Sequence, residues 1–114
     1  MKKQEIIETN KKVEENFDKA LHEFYDKEFH TAPEKRLRSC SAKVITTSNY
    51  YILQSYGTKI ACIDRKTGVL YDALRLAYGY TSTSAQHIAK FSHDYGAYDG
   101  RKFGCEVILR WYPA

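Results

Sequence analysis

Hydroxyl side chains cluster at one point of the chain, in the run Tyr80-Thr81-Ser82-Thr83-Ser84-Ala85-Gln86-His87. If a helix begins there, its free N–H groups and its dipole favour anions, so Ser82, Thr83 and Ser84 can hold a phosphate. We place His87 on the polar side of that helix, where it can donate to the same phosphate or act as a general acid–base group. Helix capping is the competing interpretation, because Thr83 and Gln86 satisfy the spacing of a capping box. We favour capping, since the spacing fixes no acid–base partner for His87.

Tyrosine is the second unusual feature, with ten in 114 residues. Several tyrosines must be exposed if they lie in strands, because a strand places successive residues on alternating faces. Aromatic rings interleaved with basic side chains can bind single-stranded nucleic acid by stacking and phosphate contacts. Tyr and Arg are equally enriched in protein-binding hot spots, and we rank protein binding narrowly first. The partner-binding residues that this pattern predicts are Tyr50, Tyr56, Lys59, Arg65, Lys66, Arg75, Tyr78 and Tyr80.

The sequence carries no motif that indicates catalysis or a metal site. It lacks a glycine-rich phosphate loop, an HExxH pair and a nucleophile elbow. Its three cysteines are far apart with no CxxC spacing, which predicts free thiols in a reducing, cytoplasmic setting. Asp18, His22 and Asp26 share one helical face, a pattern that is far more often solvated than metal-binding. We predict no catalytic residue, no metal and no cofactor. The enzymatic alternative is a small ribonuclease-type toxin that uses His87, Lys90 and a tyrosine.

The charge is distributed unevenly along the chain. The net charge is +4, but residues 1–30 carry six Lys against eight acidic residues, and residues 31–114 carry the excess of Lys and Arg. An anionic partner would therefore contact the basic body. No apolar run approaches the roughly 20 residues of a membrane span, and the N-terminus lacks the apolar centre of a signal peptide. These features predict a protein without a membrane partner.

Residues 3–29 form the clearest predicted element, an amphipathic helix. Its apolar residues fall on one face at helical spacing: Ile6, Val13, Phe17, Ala20, Leu21 and Phe24. Such a helix is about 40 Å long, whereas a strand of five or six residues spans roughly 17–20 Å. A small sheet cannot cover the whole apolar face. We therefore expect a homodimer through the N-terminal half of the helix, near Ile6, Ile7 and Val13.

The remainder of the chain reads as a β-rich body, residues 37–114. A weakly alternating segment, Leu37–Thr47, is typical of an edge strand. The basic residues beside it, Lys35, Arg36 and Arg38, are typical of a solvated sheet edge. Gly57-Thr58 suits a two-residue hairpin turn, which places Leu53 opposite Cys62 and Ile52 opposite Ile63. Apolar residues on both faces predict a sheet that is covered on both sides. The other predicted elements are a strand at Val69–Leu76, a helix at 83–95 and a last strand at Cys105–Tyr112.

Together these elements predict the fold class α+β in a single domain, residues 1–114. A long N-terminal helix (residues 1–30) packs on a small antiparallel sheet of four or five strands, and a short helix precedes the last strand.

Two stretches of the centre resemble a known family. They are Ser55-Tyr56-Gly57-Thr58-Lys59-Ile60-Ala61-Cys62-Ile63-Asp64 and Tyr80-Thr81-Ser82-Thr83-Ser84-Ala85-Gln86-His87-Ile88-Ala89-Lys90-Phe91. Over residues 50–95 the chain resembles a small domain that is widespread in proteins of phages and plasmids of Gram-positive bacteria. The pattern is a Ser-Tyr-x-Thr strand pair followed by a Thr/Ser-Thr-Ser-x-x-His-Ile-x-x-Phe helix, and it carries no catalytic assignment. The resemblance implies an accessory protein of a mobile element.

These observations lead to a functional hypothesis. We expect a non-enzymatic phage or mobile-element protein that binds and interferes with a host system in the host cytoplasm. Its partner is expected to be a host protein or a protein–nucleic acid complex, and the most concrete form is an anti-CRISPR-type inhibitor of a Cas nuclease. The alternative is a regulatory protein that binds nucleic acid directly through the basic body.

Overall fold

The computed structural model describes residues 2–28, 31–38, 41–77, 81–96 and 108–112. Within these ranges the elements follow in the order α1 (Lys3–Asp26), β1 (Glu34–Arg36), β2 (Ala42–Thr46), β3 (Tyr50–Ser55), β4 (Thr58–Asp64), β5 (Leu70–Asp72), α2 (Leu74–Ala77), α3 (Ser82–Tyr95) and β6 (Ile108–Arg110). The predicted class, α+β with a long N-terminal helix packed on a sheet, is confirmed. In the described part of the chain, no helix is long and apolar enough to cross a membrane.

Over the described residues the sheet has six strands in the order β1-β2-β3-β4-β5-β6, more than the four or five expected. The predicted edge segment 37–47 was wrong in its bounds, since the edge is a hairpin of β1 and β2. The fully antiparallel sheet was also wrong, because β6 pairs with β5 in parallel. A parallel pair needs a long crossover, and the connection between β5 and β6 contains α2 and α3. Of the predicted last strand, residues 105–107 lie outside the described residues.

The predicted strand Val69–Leu76 was too long, because the chain turns into a helix after Asp72. The Asp72 carboxylate accepts a hydrogen bond of 3.1 Å from the Leu74 backbone N–H, where α2 begins. A short polar side chain that bonds the backbone two residues on favours a turn over a continued strand.

The turn between β3 and β4 starts one residue earlier than predicted. Tyr56 and Gly57 occupy its centre with φ of +52° and +96°, and Ser55 pairs with Thr58. Positive φ at both central residues is the geometry of a type I′ hairpin turn. A β-bulge beside Leu53 then shifts the register, so that Ile52 lies opposite Cys62. The predicted pairings of Leu53 with Cys62 and of Ile52 with Ile63 were therefore wrong, because neither the turn position nor the bulge was anticipated.

Helices cover the sheet on both faces, as the apolar residues on both faces predicted. The α1 face packs on one core cluster: Val13, Phe17, Ala20, Phe24, Ala32, Ile45, Tyr50, Ile52, Cys62, Tyr71 and Ala73. The α2 and α3 face packs on a second: Leu37, Ala42, Val44, Leu53, Ile60, Ala61, Ile63, Leu70, Leu74, Ile88 and Phe91. Cys62 is a free, buried thiol whose pKa is raised by burial; Cys40 and Cys105 lie outside the described residues.

Helix α1 buries only part of its length. Its 24 residues span about 36 Å, and its fully buried positions begin at Asn10. Ahead of Asn10, Ile6 is half-buried and Ile7 is 47 % exposed. The first two turns therefore bury no side chain fully. Val13, which we expected in the dimer contact with Ile6 and Ile7, is buried in the core, and the homodimer itself remains a prediction.

Two polar contacts fix α1 on the sheet. The Asn10 side chain donates to the Tyr112 carbonyl at 2.7 Å and accepts from the Tyr112 N–H at 2.7 Å, so it mimics one step of a strand ladder. Toward the other end of the helix, the Glu23 carboxylate accepts from the Asn49 backbone N–H at 2.8 Å and from its side-chain amide at 3.2 Å. Asn10 ties the start of the chain to its last described residue, and Glu23 ties the helix to the turn between β2 and β3.

We predict that Asn10→Ala lowers the free energy of unfolding by about 1–3 kcal/mol, because it leaves two backbone groups of Tyr112 without partners. Urea unfolding followed by circular dichroism measures the change. Asn16→Ala is the matched control, since the Asn16 side chain makes one exposed bond within the same helix, to the Lys12 carbonyl. Equal effects of the two substitutions would show that the Asn10 contact does not hold the C-terminal segment.

Candidate functional site

The start of α3 is capped, but not by the predicted residue. Thr81 is extended, with φ −133° and ψ 148°, and its hydroxyl accepts a hydrogen bond of 3.2 Å from the Ser84 backbone N–H. The helix is already formed at Ser82, so the capping box from Thr83 to Gln86 was wrong by two residues. Ser82 and Thr83 are exposed to solvent. Capping, the favoured interpretation of the hydroxyl cluster, is thus carried by Thr81.

The other half of the predicted anion site faces the sheet. His87 is 3 % exposed, which corrects its placement on the polar side of α3. Its Nδ1 lies 2.8 Å from the Ser55 hydroxyl, and that hydroxyl lies 3.2 Å from the hydroxyl of Ser84. Burial, and secondly the charge of Lys90, lower the pKa of His87. Ser82 and Thr83 are therefore exposed, whereas Ser84 and His87 are buried and their polar atoms bond within the protein.

The contact between Ser55 and His87 has the reach of a nucleophile–base pair. The Ser55 side chain is fully buried on the sheet, however, at 0 % exposure. No substrate reaches its hydroxyl in this conformation, so the pair acts as a buried polar tie between β3 and α3. The ring of Tyr56 lies above it, 5.7 Å from the His87 ring centroid to centroid.

Several of the predicted partner-binding residues have structural roles. Tyr50 is buried in the core on the α1 face, and its burial raises the pKa of its hydroxyl to about 12. Arg65 donates to the Thr47 carbonyl and lies 5.0 Å from the centroid of the Tyr51 ring, which fixes the turn between β2 and β3. Tyr50 is therefore not accessible to a partner, whereas Arg65 is exposed and already engaged in these contacts.

The other predicted residues are spread over the molecule. Lys66 is exposed in the turn after β4, at the end of the sheet opposite Tyr56, and Arg75 is exposed on α2. Tyr78 and Tyr80 lie outside the described residues. Of the predicted residues that the structure describes, Tyr56 and Lys59 lie at the end of the sheet that holds the β3–β4 turn, and Tyr50, Arg65 and Lys66 lie at the opposite end.

The acidic residues of α1 border a groove of about 620 Å³ beside the β2–β3 turn, lined by Asp18, Lys19, His22, Glu23, Asp26, Ser48 and Asn49. His22 Nε2 lies 2.9 Å from an Asp26 carboxylate oxygen, and Glu23 is engaged by Asn49. Within the described ranges, no three His, Cys, Asp or Glu side chains are arranged to hold a metal ion. This groove is an acidic surface at the end of the sheet that holds the β2–β3 turn.

Strand register assembles a second, basic surface that the sequence pattern did not show. Arg36 pairs with Lys43, Lys43 with Gln54, and Gln54 with Lys59, across four neighbouring strands. Directly opposed residues of antiparallel strands point to the same face. We call these four side chains the basic row.

The basic row lies on the α1 face of the sheet. Ala42 and Val44 on either side of Lys43 belong to the core under α3, so Lys43 points the other way. Lys59 confirms the face, because its Nζ lies 4.9 Å from the Phe24 ring centroid and 5.4 Å from that of Tyr25, near the end of α1. Arg36 and Lys43 are exposed, and Gln54 and Lys59 are half-buried.

Exposed tyrosines flank the basic row. Tyr25 is 55 % exposed beside Lys59, and Tyr56 is 66 % exposed at the tip of the β3–β4 turn. A groove of about 390 Å³ joins Tyr56 to the row, and it is lined by Arg36, Ser41, Ala42, Lys43, Gln54, Tyr56 and Gly57. Sequence reasoning found Tyr56 and Lys59 and missed the rest. Recognising a hairpin between residues 34 and 46 would have placed Arg36 beside Lys43.

The buried His87 predicts a pH dependence of stability. Its folded pKa lies below the ordinary value of about 6.5, so the unfolded state binds more protons as the pH falls below that value. The stabilisation by the neutral, buried His87 is therefore fully present above the unfolded pKa of about 6.5 and is lost as the pH falls below it, through the folded pKa. His87→Gln removes the titrating group, and the free energy of unfolding should depend less on pH in that range. Urea unfolding at four pH values measures it, and the same dependence in both proteins would contradict the burial of a neutral imidazole.

Comparisons with known proteins bear on the family and not on the activity. No curated protein and no solved structure matches the chain. One family model, described as a family of unknown function (DUF8033), matches residues 1–103. The match includes α1, which lies outside the resemblance over residues 50–95, and reaches past α3. The chain belongs to the DUF8033 family.

Proposed function

We propose that this chain is a non-enzymatic binding protein of a phage or other mobile element that interferes with a host system in the bacterial cytoplasm. The most concrete form is an anti-CRISPR-type inhibitor that binds a Cas nuclease. The observation that carries the proposal is the basic row with its exposed tyrosines. The resemblance to phage and plasmid proteins supplies the setting.

The basic row has two properties that favour binding of a partner, a rigid backbone and an exposed aromatic ring beside cations. Its residues stand on four paired strands with helices on both faces of the sheet, so their backbone positions are held rigidly. Tyr56 keeps φ at +52°, a conformation that non-glycine residues rarely adopt. Strain of this kind persists where the surrounding structure holds it, and it concentrates at functional positions. An exposed aromatic ring beside cations is also the composition of a binding hot spot.

The two charged surfaces explain the choice of target. The acidic groove along α1 and the basic row are separate, so one protein can meet a basic and an acidic region of its partner at once. A nuclease bound to nucleic acid offers both, as basic channels and as exposed phosphates. The second candidate function, a regulator that binds nucleic acid directly, is favoured by the basic row alone.

Self-association through α1 is part of the proposal. Ile7 is the most exposed aliphatic side chain of α1, and Ile6 is beside it, ahead of the region covered by the sheet. A second copy can bury these side chains around a twofold axis. Light scattering at micromolar concentration should give the mass of a dimer, and Ile7→Asp should give that of a monomer with unchanged melting. A monomeric mass for the unaltered protein would contradict this assembly.

A plasmid-interference assay tests the inhibitory function. Cells carrying an active Cas nuclease and a matching guide reject a targeted plasmid, and expression of the protein should restore transformation by at least about tenfold. The pair Arg36→Glu and Lys43→Glu should abolish the effect, because the charge of the basic row is reversed. Lys66→Glu is the matched control at the opposite end of the sheet. Unchanged plasmid rejection with both single-subunit and multisubunit Cas nucleases would refute the anti-CRISPR form.

A further inference from the structure

We propose that the basic row is a binding track for single-stranded nucleic acid. Arg36, Lys43 and Lys59 contact backbone phosphates, and an unpaired base stacks on the ring of Tyr56. The inference deepens the proposed function and rests on it only for the choice of this face as the partner surface. It specifies that the partner contains single-stranded nucleic acid. Interference with a host system could also occur through a protein contact alone.

The spacing of the cations fits a strand that crosses the sheet. Neighbouring strands lie about 4.8 Å apart, so the row from Arg36 to Lys59 extends about 14 Å, and longer reach comes from the side chains. Gln54 stands between Lys43 and Lys59 and supplies an amide that can bond a phosphate or a base edge. The row therefore presents three positive charges and one neutral donor along a line.

Among the described residues that line the groove joining the row to Tyr56, none carries a negative charge. Its lining residues are two cations, two polar side chains, Tyr56 and two small residues, and none is acidic. Glu34 shares the face of Arg36 on β1, but it pairs with Ile45 and so lies one step away from the row. The described lining residues therefore carry a net positive charge, which attracts phosphate from a distance.

The tyrosines decide between a single strand and a duplex. Phosphate contacts alone do not distinguish the two, because both carry a charged backbone. Stacking on an exposed ring needs an unpaired base, and a duplex keeps its bases stacked on each other. Tyr56 is 66 % exposed at the end of the groove, and its backbone is held by the turn and its ring is backed by His87. Such a ring is a fixed platform, which loses little freedom when a base stacks on it.

The arrangement also explains a residue choice in the β3–β4 turn. The first central position of a type I′ turn has φ > 0, where Asn, Asp or Gly is preferred. Tyr56 occupies this position at φ +52°. Its ring contacts His87 at the edge of the core without being buried, so packing alone does not require a tyrosine here. Base stacking gives that side chain a role.

Fluorescence anisotropy with labelled 12-nucleotide dT and U strands, and with a DNA duplex of the same length, tests the proposal at several salt concentrations. Both single strands should bind more tightly than the duplex. Three phosphate contacts give a slope of log affinity against log salt of about −2, and Lys43→Ala should reduce it by about 0.7. Tyr56→Ala should weaken binding about 5- to 150-fold with the slope unchanged, and Tyr56→Phe should restore it.

Lys66→Ala is the control, because it removes the same charge from an exposed position at the opposite end of the sheet. Circular dichroism confirms that each variant is folded. No binding to any of the strands overturns the proposal, as does equal loss from Lys66→Ala and Lys43→Ala. Duplex binding as tight as single-strand binding, with no effect of Tyr56→Ala, would show only a non-specific charged patch.

The two proposals fail separately. Single-strand binding without rescue of a targeted plasmid leaves the track in place and refutes the anti-CRISPR form. Rescue of the plasmid by a protein that binds no single strand supports inhibition through a protein contact and refutes the track.

Discussion

The structure depends on how α1 is held on the sheet. An apolar stripe from Val13 to Phe24 covers one face, and burial of this kind is non-directional. The position of the helix along the sheet is set by polar contacts near its two ends, between Asn10 and Tyr112 and between Glu23 and Asn49. They fix the helix along its axis, because a shift by one turn would break both. The end of α1 is thereby set beside Lys59, and the sheet beyond it keeps the basic row uncovered.

The β-bulge in the β3–β4 hairpin has a comparable role for the sheet itself. In a regular ladder, one residue of shift would turn every following side chain to the wrong face. The bulge absorbs an extra residue, so Ile60 and Ala61 both join the core under α3 while Cys62 returns to the α1 face. Because of the bulge, the chain can turn at Tyr56 while the apolar residues of β4 still face the two cores. The position of Tyr56 and the pairing of Gln54 with Lys59 follow from it.

Periodicity predicted the features that depend on local sequence. The helical stripe from Val13 to Phe24, the apolar residues on both sheet faces and the helix ending at Tyr95 were all read from spacing. Spacing could not predict the parallel pairing of β6, because that depends on where a crossover returns the chain. It also placed His87 on the wrong face, since a polar side chain can be buried when Ser55, 32 residues away, supplies a partner. The basic row was missed for the same reason: its members are neighbours only through register.

The two halves of the family-like motif meet in the fold, and this gives the motif a physical meaning. Ser55 and Tyr56 come from the strand-pair half, and Ser84 and His87 come from the helix half. The hydroxyl of Ser55 bonds both helix residues, while the Tyr56 ring lies against His87. Hydroxyls and an imidazole that look like chemistry in the sequence thus lock a hairpin onto α3. These contacts leave the ring of Tyr56 exposed to solvent at the end of the basic row. Ser55, Ser84 and His87, which suggest catalysis in the sequence, therefore support the binding surface from below. The surface itself is formed by residues such as Arg36, which the sequence suggests is part of a solvated edge.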